Sequence, residues 1–593
     1  MKERFIEVYM QQFKRRLSGM DALPQLAILG ILSGLITAVV MMLFQLTIEV
    51  ILMAMLSHHD NPEKNIEAFE TLPVISRLLF PIGGALAIGV LLYSMKIVNR
   101  KVGVAYVIER LGYHQGYITF KSALAQFFCG VMTITSGQSA GREGPAVHLG
   151  SACGSLLGQW MQLPNNSIRT LVGCGTAAAI SASFNTPIAG VIFAMEVVMM
   201  EYTVTGFTPV ILSSVTAGLL MHAFYGDVPI FIVPPFDMNY LSDIPLILVL
   251  AVMIGCASAL FVHTTRFFMR YAKHPIFLRI IVGGVITGLV ACIHPEIMGI
   301  GYDTVNLAIA SELPVLVLLS IAVAKLLVTA IAVGLGMPSG LIGPTLFIGA
   351  LFGGVCGAIG HIFWPELVSD NGFYAMVGMG AMMGSVLQAP LSALMALVEL
   401  TQNPNIILPG MLAIVVSSMI ASEGFKQKSI FLTILQAQGL KYQNDPILQA
   451  LRRVSVGAIM ERNLRRAPKV ISYEEAKLLL KAEPLWIIIE QNDKPSFLMP
   501  AADLARKVLE LKERFPEREE RYVQNIDLLG IPAQRKDIQP VHFQATLQEA
   551  LDRFTETGAE ALYVERTTAP MIKSIIGVLT RSDIENYYRY KRS

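Results

Sequence analysis

Three long stretches of the chain carry no Asp, Glu, Lys or Arg, and they limit the folds that this sequence can adopt. They run over Pro145–Ile168, Thr170–Met195 and Leu326–Pro365. The last is about twice the ~20 residues that a helix needs to cross the hydrocarbon of a bilayer, and Gly and Pro interrupt all three. Broken helices are tolerated in a membrane only where protein or a water-filled cavity covers the irregular backbone. The sequence therefore predicts a polytopic α-helical membrane protein with many short, tilted or half-crossing helices.

The charged residues are unevenly distributed. Lys, Arg, Asp and Glu make up 15% of the 593 residues, whereas soluble domains contain about 25%. Roughly half of them lie in the last quarter of the chain. This distribution argues against a soluble enzyme, a disordered chain and a nucleic-acid-binding protein, and it favours a membrane domain followed by a soluble α+β domain.

The predicted domains follow from these changes in composition. The first two spans are predicted at Leu26–Leu56 and Leu78–Met95, and basic residues flank this pair of spans on one side of the membrane. The positive-inside rule therefore places both termini in the cytoplasm. The predicted segments are an N-terminal cytoplasmic helix (1–22), a transmembrane domain (23–440), a linker (441–455) and a soluble module (456–593).

The transmembrane domain contains an internal repeat, with copies over about 75–225 and 245–435. The segment that starts at Gly141 matches the segment that starts at Gly340 at six Gly or Pro positions. Repeats with paired, interrupted helices are typical of transporters, whose binding sites lie where the broken helices meet. A second match has identical internal spacing and joins Gly175, Pro187 and Glu196 to Gly378, Pro390 and Glu399.

Each copy contains a GxxGP motif that predicts a helix start. Pro suits the first turn of a helix, and the free N–H groups and positive dipole end there can bind an anion. Two such starts could converge on one anion. The alternative is helix packing mediated by glycine. We favour the anion site because the motif is paired and because one copy contains a carboxylate, that of Glu143.

Glu143 is the predicted gate. A charge inside a membrane protein is expensive unless it is partnered or faces water. At a helix start its carboxylate would cap the same N–H groups that an anion would use. It could therefore compete with the anion and leave when it is protonated.

These motifs resemble those of the CLC family of chloride channels and proton/chloride antiporters. Gly141-Arg-Glu-Gly-Pro145 is similar to the family signature, Gly340-Leu-Ile-Gly-Pro344 to its second anion-binding loop, and Phe184–Gly190 to the segment beside them. The resemblance covers about residues 20–440. It implies the CLC fold with an inverted repeat, and a homodimer with one pore in each subunit. It also implies a multi-pass protein of the plasma membrane, most simply a prokaryotic inner membrane.

The resemblance also assigns the anion-binding residues. Backbone amides of Arg142, Glu143, Gly144, Leu341 and Ile342 would bind chloride. The family's first loop carries a Ser, which falls here on Val102 beside Gly103, and its central Tyr falls on Phe431. Loss of both hydroxyl groups should weaken selection among anions.

A third departure concerns the mechanism. Antiporters of the family carry two consecutive carboxylates where this chain has Glu196 and Val197. Val197 resembles the channel branch. Glu201 could replace the missing proton acceptor, although we favour a helix-end acid in contact with water. Glu196 belongs to the same candidate proton pathway, but its equivalence to Glu399 in the other repeat indicates a structural role.

We therefore predict a passive anion channel gated by voltage or pH, with a proton-coupled antiporter as the alternative. A nucleotide-sensing signalling protein and a membrane-anchored enzyme are less favoured. The sequence contains no catalytic constellation or metal-ligand spacing, and no cofactor is expected to be required.

The soluble tail resembles a pair of CBS domains. Two similar units are predicted at about Val456–Glu510 and Ile526–Tyr588. Ser455–Met460 is similar to the opening of such a domain and Gly577–Asp583 to its end. Where CBS pairs bind ATP, ADP or AMP, residues at the positions of Thr580 and Asp583 contact the nucleotide. A purely structural dimerisation module is equally consistent with the sequence.

Overall fold

The computed structural model describes residues 23–56, 69–97, 100–202, 204–226, 230–231, 233, 242–365, 368–440, 446–492, 494–514, 525–569 and 572–590. The predicted N-terminal helix, residues 1–22, and the first part of the predicted linker, residues 441–445, lie outside these ranges. The chain divides into two compact units. One is helical and consists of Leu26–Gln162 and Ile168–Gln443, and the other contains Asn444–Ser593 together with Leu163–Ser167.

The helical unit begins with long apolar helices and ends with short ones. Its α-helices are α1 (Leu23–Leu56), α2 (Val74–Ser94), α3 (Val104–Tyr113), α4 (Phe120–Thr135), α5 (Glu143–Trp160), α6 (Asn165–Phe184), α7 (Pro187–Phe193), α8 (Val204–Tyr225), α9 (Asp243–Met269), α10 (Ile276–Ala291), α11 (Tyr302–Ile309), α12 (Val315–Leu335), α13 (Ile342–Phe363), α14 (Asn371–Leu387), α15 (Pro390–Thr401), α16 (Ile407–Met419) and α17 (Ile430–Ala437).

The prediction of interrupted helices is confirmed. Within the described residues, seven helices are long and apolar enough to cross a membrane, while α10, α15 and the helix over Pro187–Met199 are shorter. The longest charge-free run, Leu326–Pro365, is divided between α12 and α13. The break falls at Gly336, which has a φ of +92° that favours glycine and ends α12.

The internal repeat is visible in how the helices pack. A Cβ atom on Gly349 of α13 would lie 2.2 Å from the carbonyl oxygen of Gly378 in α14, and one on Gly378 would lie 2.2 Å from that of Gly349. Gly150 of α5 and Gly175 of α6, the equivalent residues of the first repeat, make the same reciprocal contact. Only glycine allows the backbones of two helices to approach so closely.

Replacing one of these glycines should therefore destabilise the helical unit. We expect Gly349→Ala to lower the free energy of unfolding by about 1–3 kcal/mol, because the methyl group would overlap backbone atoms that cannot move aside cheaply. The measurement is the apparent melting temperature of the purified protein in detergent. Gly83→Ala in α2 is the matched control, because a Cβ there has no heavy atom within 4 Å. Equal melting temperatures for the two variants would contradict the prediction.

The second unit is an α+β structure. Its helices are α18 (Pro446–Arg452), α19 (Val456–Ile459), α20 (Tyr473–Lys481), α21 (Ala501–Arg514), α22 (Leu547–Thr557) and α23 (Arg581–Tyr590). Its strands are β1 (Leu464–Pro468), β2 (Val470–Ser472), β3 (Trp486–Gln491), β4 (Lys494–Pro500), β5 (Asn525–Asp527), β6 (Lys536–His542), β7 (Ala561–Ala569) and β8 (Ile572–Thr580).

The second unit is itself duplicated. Six strands form one sheet in the order β1-β3-β4-β6-β7-β8. In the first half β1 is parallel to β3 and β3 is antiparallel to β4, and in the second half β6, β7 and β8 repeat this arrangement. A helix connects the parallel strands of each half, as a parallel crossover requires. The predicted pair of similar α+β units therefore exists.

Segments near the predicted boundaries of these units contribute to cores that differ from the predicted division. Part of the predicted linker forms α18, and Leu451 and Val454 are buried in a core with residues of the second half. Val456, at the predicted start of the first unit, belongs to that same core. Ile526, the predicted start of the second unit, lies in the core of the first half. Composition did not reveal this exchange because it depends on contacts between segments that are distant in sequence.

Candidate functional site

The two GxxGP motifs meet through their backbones. The N–H of Gly141 donates to the carbonyl of Gly340 at 3.1 Å, and the N–H of Gly340 donates to the carbonyl of Gly141 at 2.8 Å. Reciprocal contacts of this kind are what a two-fold axis produces. Because α5 and α13 begin directly after this pair, the structure brings the N-termini of both helices to one place, as predicted for an anion site.

The carboxylate of Glu143 lies between these two helix starts, and its side chain is fully buried. Ideal Cβ atoms on Gly141 and Gly340 would lie 2.0 Å and 2.5 Å from Oε2, and one on Gly343 would lie 2.8 Å from Oε1. Larger residues at these three positions would displace the carboxylate. The motif glycines therefore form a cradle that holds a negatively charged group, contributed by both repeats.

The hydrogen bonds of Glu143 are incomplete. The hydroxyl of Tyr302 donates to Oε1 at 3.4 Å. Oε2 is buried and has no hydrogen-bond partner among the described residues. A buried carboxylate with an unpartnered oxygen is unfavourable in its ionised form, because its charge has lost the hydration that water provides.

The other predicted backbone ligands lie at the same helix starts. Leu341 and Ile342 begin α13 and are buried, and Arg142 and Gly144 flank Glu143 at the start of α5. Among the described residues no salt bridge joins Arg142 to Glu143. The guanidinium of Arg142 instead donates to the carbonyl of Ser183 at 2.5 Å.

Tyr302 was not found by sequence reasoning, and neither was the residue that positions it. Lys325 of α12 is fully buried, and its Nζ donates to the carbonyls of Ile297 and Gly299 at 2.9 Å each. These bonds order the loop that leads to Gly301, whose φ of +79° starts α11 at Tyr302. The sequence did contain a signal for Lys325. It is a lysine within the apolar span of α12, and a charged residue inside a membrane helix needs a partner.

An acidic cluster adjoins Tyr302. Burial, and then the neighbouring carboxylates of Asp303 and Glu296, raise the pKa of Glu70 to about 7, although Thr304 and Arg77 act in the opposite direction. Glu70 lies between α1 and α2, outside the membrane-spanning helices. Burial among other carboxylates therefore shifts the pKa of Glu70 towards neutral pH.

The predicted first loop lies at the start of α3. The N–H of Gly103 already has partners there, namely Gln126 Oε1 at 2.9 Å and Nδ1 of the buried His148 at 3.3 Å. Val102 is half-buried, and Phe431 is buried in the first turn of α17. Neither side chain carries a hydrogen-bond donor, and the assignment of these two residues to an anion site stays a prediction.

Glu196 and Glu399 form a second reciprocal contact between the repeats. The carboxylate of Glu196 accepts hydrogen bonds from two backbone N–H groups at the start of α15, at 3.2 and 2.7 Å. Glu399 accepts from two at the start of α7, at 2.9 and 2.7 Å. Each therefore caps a broken helix of the other repeat. This geometry favours the structural interpretation of Glu196 over a place in a proton pathway.

Glu201 does not have the environment that we favoured. It is 6% exposed, and Oε1 lies 3.3 Å from the guanidinium of Arg169, which is also buried. The interpretation as a helix-end acid in contact with water is therefore wrong. A π-helical segment, Ala194–Met199, precedes it, and Met200 has a φ of +53°. These features let the N–H of Glu201 donate to the carbonyl of Met195 at 3.1 Å, which folds the chain back over the helix end.

Thr580 and Asp583 contact each other in the second unit. Asp583 Oδ2 accepts from the backbone N–H and the hydroxyl of Thr580, both at 2.7 Å, and the hydroxyl accepts from the N–H of Asp583 at 3.4 Å. The pair therefore caps α23. At the equivalent junction between β4 and α21, the position of Thr580 is taken by Pro500, which has no hydroxyl group.

Comparisons with known proteins agree with this geometry. Residues 83–422 match the protein family described as "Voltage gated chloride channel". The "Putative chloride channel protein ClcB-like" of Ralstonia nicotianae is 33% identical over 350 residues, which cover 58% of this chain and 81% of that protein. The "H(+)/Cl(-) exchange transporter ClcA" of Vibrio cholerae is 30% identical over 295 residues, which cover 48% of this chain and 63% of that protein.

Solved structures share the fold. A slow cyanobacterial Cl−/H+ antiporter aligns with a TM-score of 0.62 at 21% identity and covers 71% of this chain and 99% of its own. A eukaryotic CLC transporter aligns with a TM-score of 0.57 at 17% identity and covers 95% of this chain and 98% of its own. The fold is therefore the helical CLC transporter fold.

The contact between Tyr302 and Glu143 can be tested through the pH dependence of anion flux. Tyr302→Phe removes only the hydroxyl group that donates to the ionised carboxylate. We expect the pH of half-maximal flux in proteoliposomes to rise by about half a unit, because a long hydrogen bond to a charged group contributes roughly 0.5–1 kcal/mol. Tyr93→Phe, at an exposed tyrosine of α2, is the control. A profile for Tyr302→Phe that matches the control would show that the hydroxyl group does not hold Glu143.

Proposed function

Because the chain belongs to the CLC family of voltage-gated chloride channels and their relatives, we propose that it exchanges chloride, or another small inorganic anion, for protons across a membrane. The observation that carries the proposal is the fully buried carboxylate of Glu143 in the glycine cradle between two helix starts. It occupies the position where an anion would bind, so protonation and anion binding are alternatives at one site.

The mechanism follows from the charge of this group. The ionised carboxylate takes the place of an anion at the N-termini of α5 and α13. A proton on the unpartnered Oε2 removes that charge, and the side chain then loses its attraction to the helix dipoles. An anion can replace it. The cycle would be completed when the proton leaves towards the side of the membrane opposite to the one from which it came, and the ionised carboxylate returns after the anion has left. The two ions would then have moved in opposite directions.

Exchange also needs an inner proton acceptor, and Glu201 is our candidate. Its carboxylate is buried, so it is removed from bulk water, and it follows the π-helical segment that contains Val197. Its ion pair with Arg169 would have to weaken when it accepts a proton, since breaking a buried pair leaves an uncompensated charge. Arg169 also donates to the carbonyl of Leu111, which would retain part of its hydrogen bonding.

A passive channel, our prediction from the sequence, is the second candidate. The apolar residue Val197 favours it. Several relatives are named exchange transporters, and two structural neighbours are described as antiporters, which supports exchange instead. Reconstituted flux distinguishes the two. An exchanger drives protons uphill when only an anion gradient is applied, and a channel does not.

Substitution of Glu143 tests the coupling directly. We expect Glu143→Ala to retain anion flux but to lose both its pH dependence and uphill proton movement, because the competing carboxylate is gone. The measurement is simultaneous recording of chloride and proton fluxes in proteoliposomes. Glu312→Gln, at an exposed glutamate, is the control. A wild-type pH profile in Glu143→Ala would exclude Glu143 as the gate.

Glu201→Gln separates exchange from conduction. The substitution preserves the size of the side chain and removes its titration. If Glu201 accepts protons, we expect proton movement per anion to fall at least tenfold while anion flux continues. Unchanged coupling would remove Glu201 from the pathway and leave the proposed role of Glu143 intact.

We also propose that the second unit is a tandem CBS module that binds an adenine nucleotide. The duplicated strand–helix–strand–strand–helix topology and the placement of Thr580 and Asp583 at the junction of β8 and α23 support this assignment. From the family resemblance, we also propose that the protein is a homodimer in a prokaryotic inner membrane. Both termini would lie in the cytoplasm.

Nucleotide binding can be measured by titrating ATP and AMP against the full-length protein. We expect Thr580→Val to weaken binding by about tenfold through loss of a hydroxyl donor. Asp503→Asn, at the matching junction of the first half, should have a smaller effect because Pro500 already interrupts that half-site. An absence of binding to the wild-type protein would leave the module with a structural role.

A further inference from the structure

A polar cavity lies where α9 ends and α17 begins. It has a volume of about 320 Å³, which is in the range of small ligand sites. Its lining residues come from the last turns of α9, from the connection before α17 and from α17 itself, and they are Arg266, Lys426, Gln427, Lys428, Thr433, Gln436 and Ala437.

The cavity concentrates positive charge. Three of its lining side chains are cationic, and none of the described residues that line it is acidic. The nearby Glu423 pairs with Lys426 at 2.9 Å, but both side chains are about three-quarters exposed, so this pair contributes little. Basic residues are common at the cytoplasmic edge of membrane helices. Their convergence around a concave surface with a hydroxyl and two amide groups is an additional feature, and it suits an anion with several oxygen atoms.

The cavity is separate from the candidate anion pathway. Thr433 lies two residues after Phe431 on α17, and two residues of an α-helix are about 200° apart around its axis. Gln436 and Ala437 share the side of α17 that carries Thr433, because residues three and four positions apart are neighbours. The cavity therefore lies on the side of α17 opposite Phe431.

Exposed aromatic side chains lie close in sequence to two of the residues that line this cavity. Phe267 and Tyr271 follow Arg266 and are 43% and 45% exposed, and Phe425 precedes Lys426 and is 50% exposed. Aromatic rings of this kind concentrate at the level of lipid headgroups. Basic pockets between membrane helices at this level bind the headgroups of anionic lipids.

We propose that this cavity binds the phosphate group of an anionic phospholipid. Arg266 and Lys428 provide the charge that attracts the phosphate, Gln427 and Gln436 provide amide groups for the polar part of the headgroup, and the exposed aromatic rings contact the acyl chains. The charges of the headgroup would relieve the repulsion among the three cationic side chains.

The test uses the full-length protein in nanodiscs of phosphatidylcholine with increasing fractions of phosphatidylglycerol. Lipid retained by the protein is measured by native mass spectrometry, together with the apparent melting temperature. The test variant is Arg266→Gln/Lys428→Gln. The matched control is Arg270→Gln/Lys273→Gln, which removes two charges from the same end of α9 but from residues that do not line the cavity. The single variant Lys428→Gln serves if the double variant does not fold.

We expect phosphatidylglycerol to raise the melting temperature of the wild-type protein and of the control. The apparent affinity of the test variant for phosphatidylglycerol should be lower than that of the wild-type protein by roughly 30-fold. Each cation near a membrane surface contributes about a factor of five, and the variant lacks two of them. An equal loss in both double variants would show diffuse attraction to the membrane surface and overturn the proposal. So would the absence of any lipid effect on the wild-type protein.

A separate experiment distinguishes the phosphate group of a lipid from that of a soluble molecule. Inorganic phosphate and ATP are added to the protein in pure phosphatidylcholine. If either stabilises the wild-type protein but not the test variant, while phosphatidylglycerol has no effect, the site is for a soluble phosphate and the lipid is excluded. None of these outcomes depends on whether the protein exchanges anions for protons or conducts them passively.

Discussion

The absence of water in the hydrocarbon region of a membrane is the constraint on which this structure depends. An interrupted helix exposes N–H groups there, and protein must satisfy them. In this chain each repeat supplies what the other lacks. The backbones of Gly141 and Gly340 pair with each other, and the carboxylates of Glu196 and Glu399 cap broken helices across the two repeats. The site therefore exists only at the junction of the repeats.

The same constraint explains why the site contains a carboxylate. Two helix starts directed at one place create a positive potential that something must neutralise. Glu143 does this when it is ionised, and three glycines leave room for it. The fit is incomplete because Oε2 has no partner among the described residues. In the proposed function, a proton would release this group and an anion would take its place.

Residue identity and relatedness point to different mechanisms. Val197 and Phe431 lack the polar groups expected in an antiporter, whereas several relatives are named as exchangers. The burial of Glu201 beside Arg169 reduces this conflict, because it places a carboxylate out of contact with bulk water close in sequence to the missing one. The contact was not visible in the sequence, where Arg169 and Glu201 are separated by two helices.

The sequence by itself determined the interrupted membrane helices, the repeat and Glu143 as the central side chain, because these depend on local Gly, Pro and charge patterns. It also predicted a duplicated α+β tail, from the local motifs at Ser455–Met460 and Gly577–Asp583. Only the tertiary structure decided which groups meet. Tyr302 and Lys325 act on the site through loops far from Glu143 in the chain, and α18 joins the core of the second half of the tail. Such contacts depend on long-range packing, which local patterns do not encode.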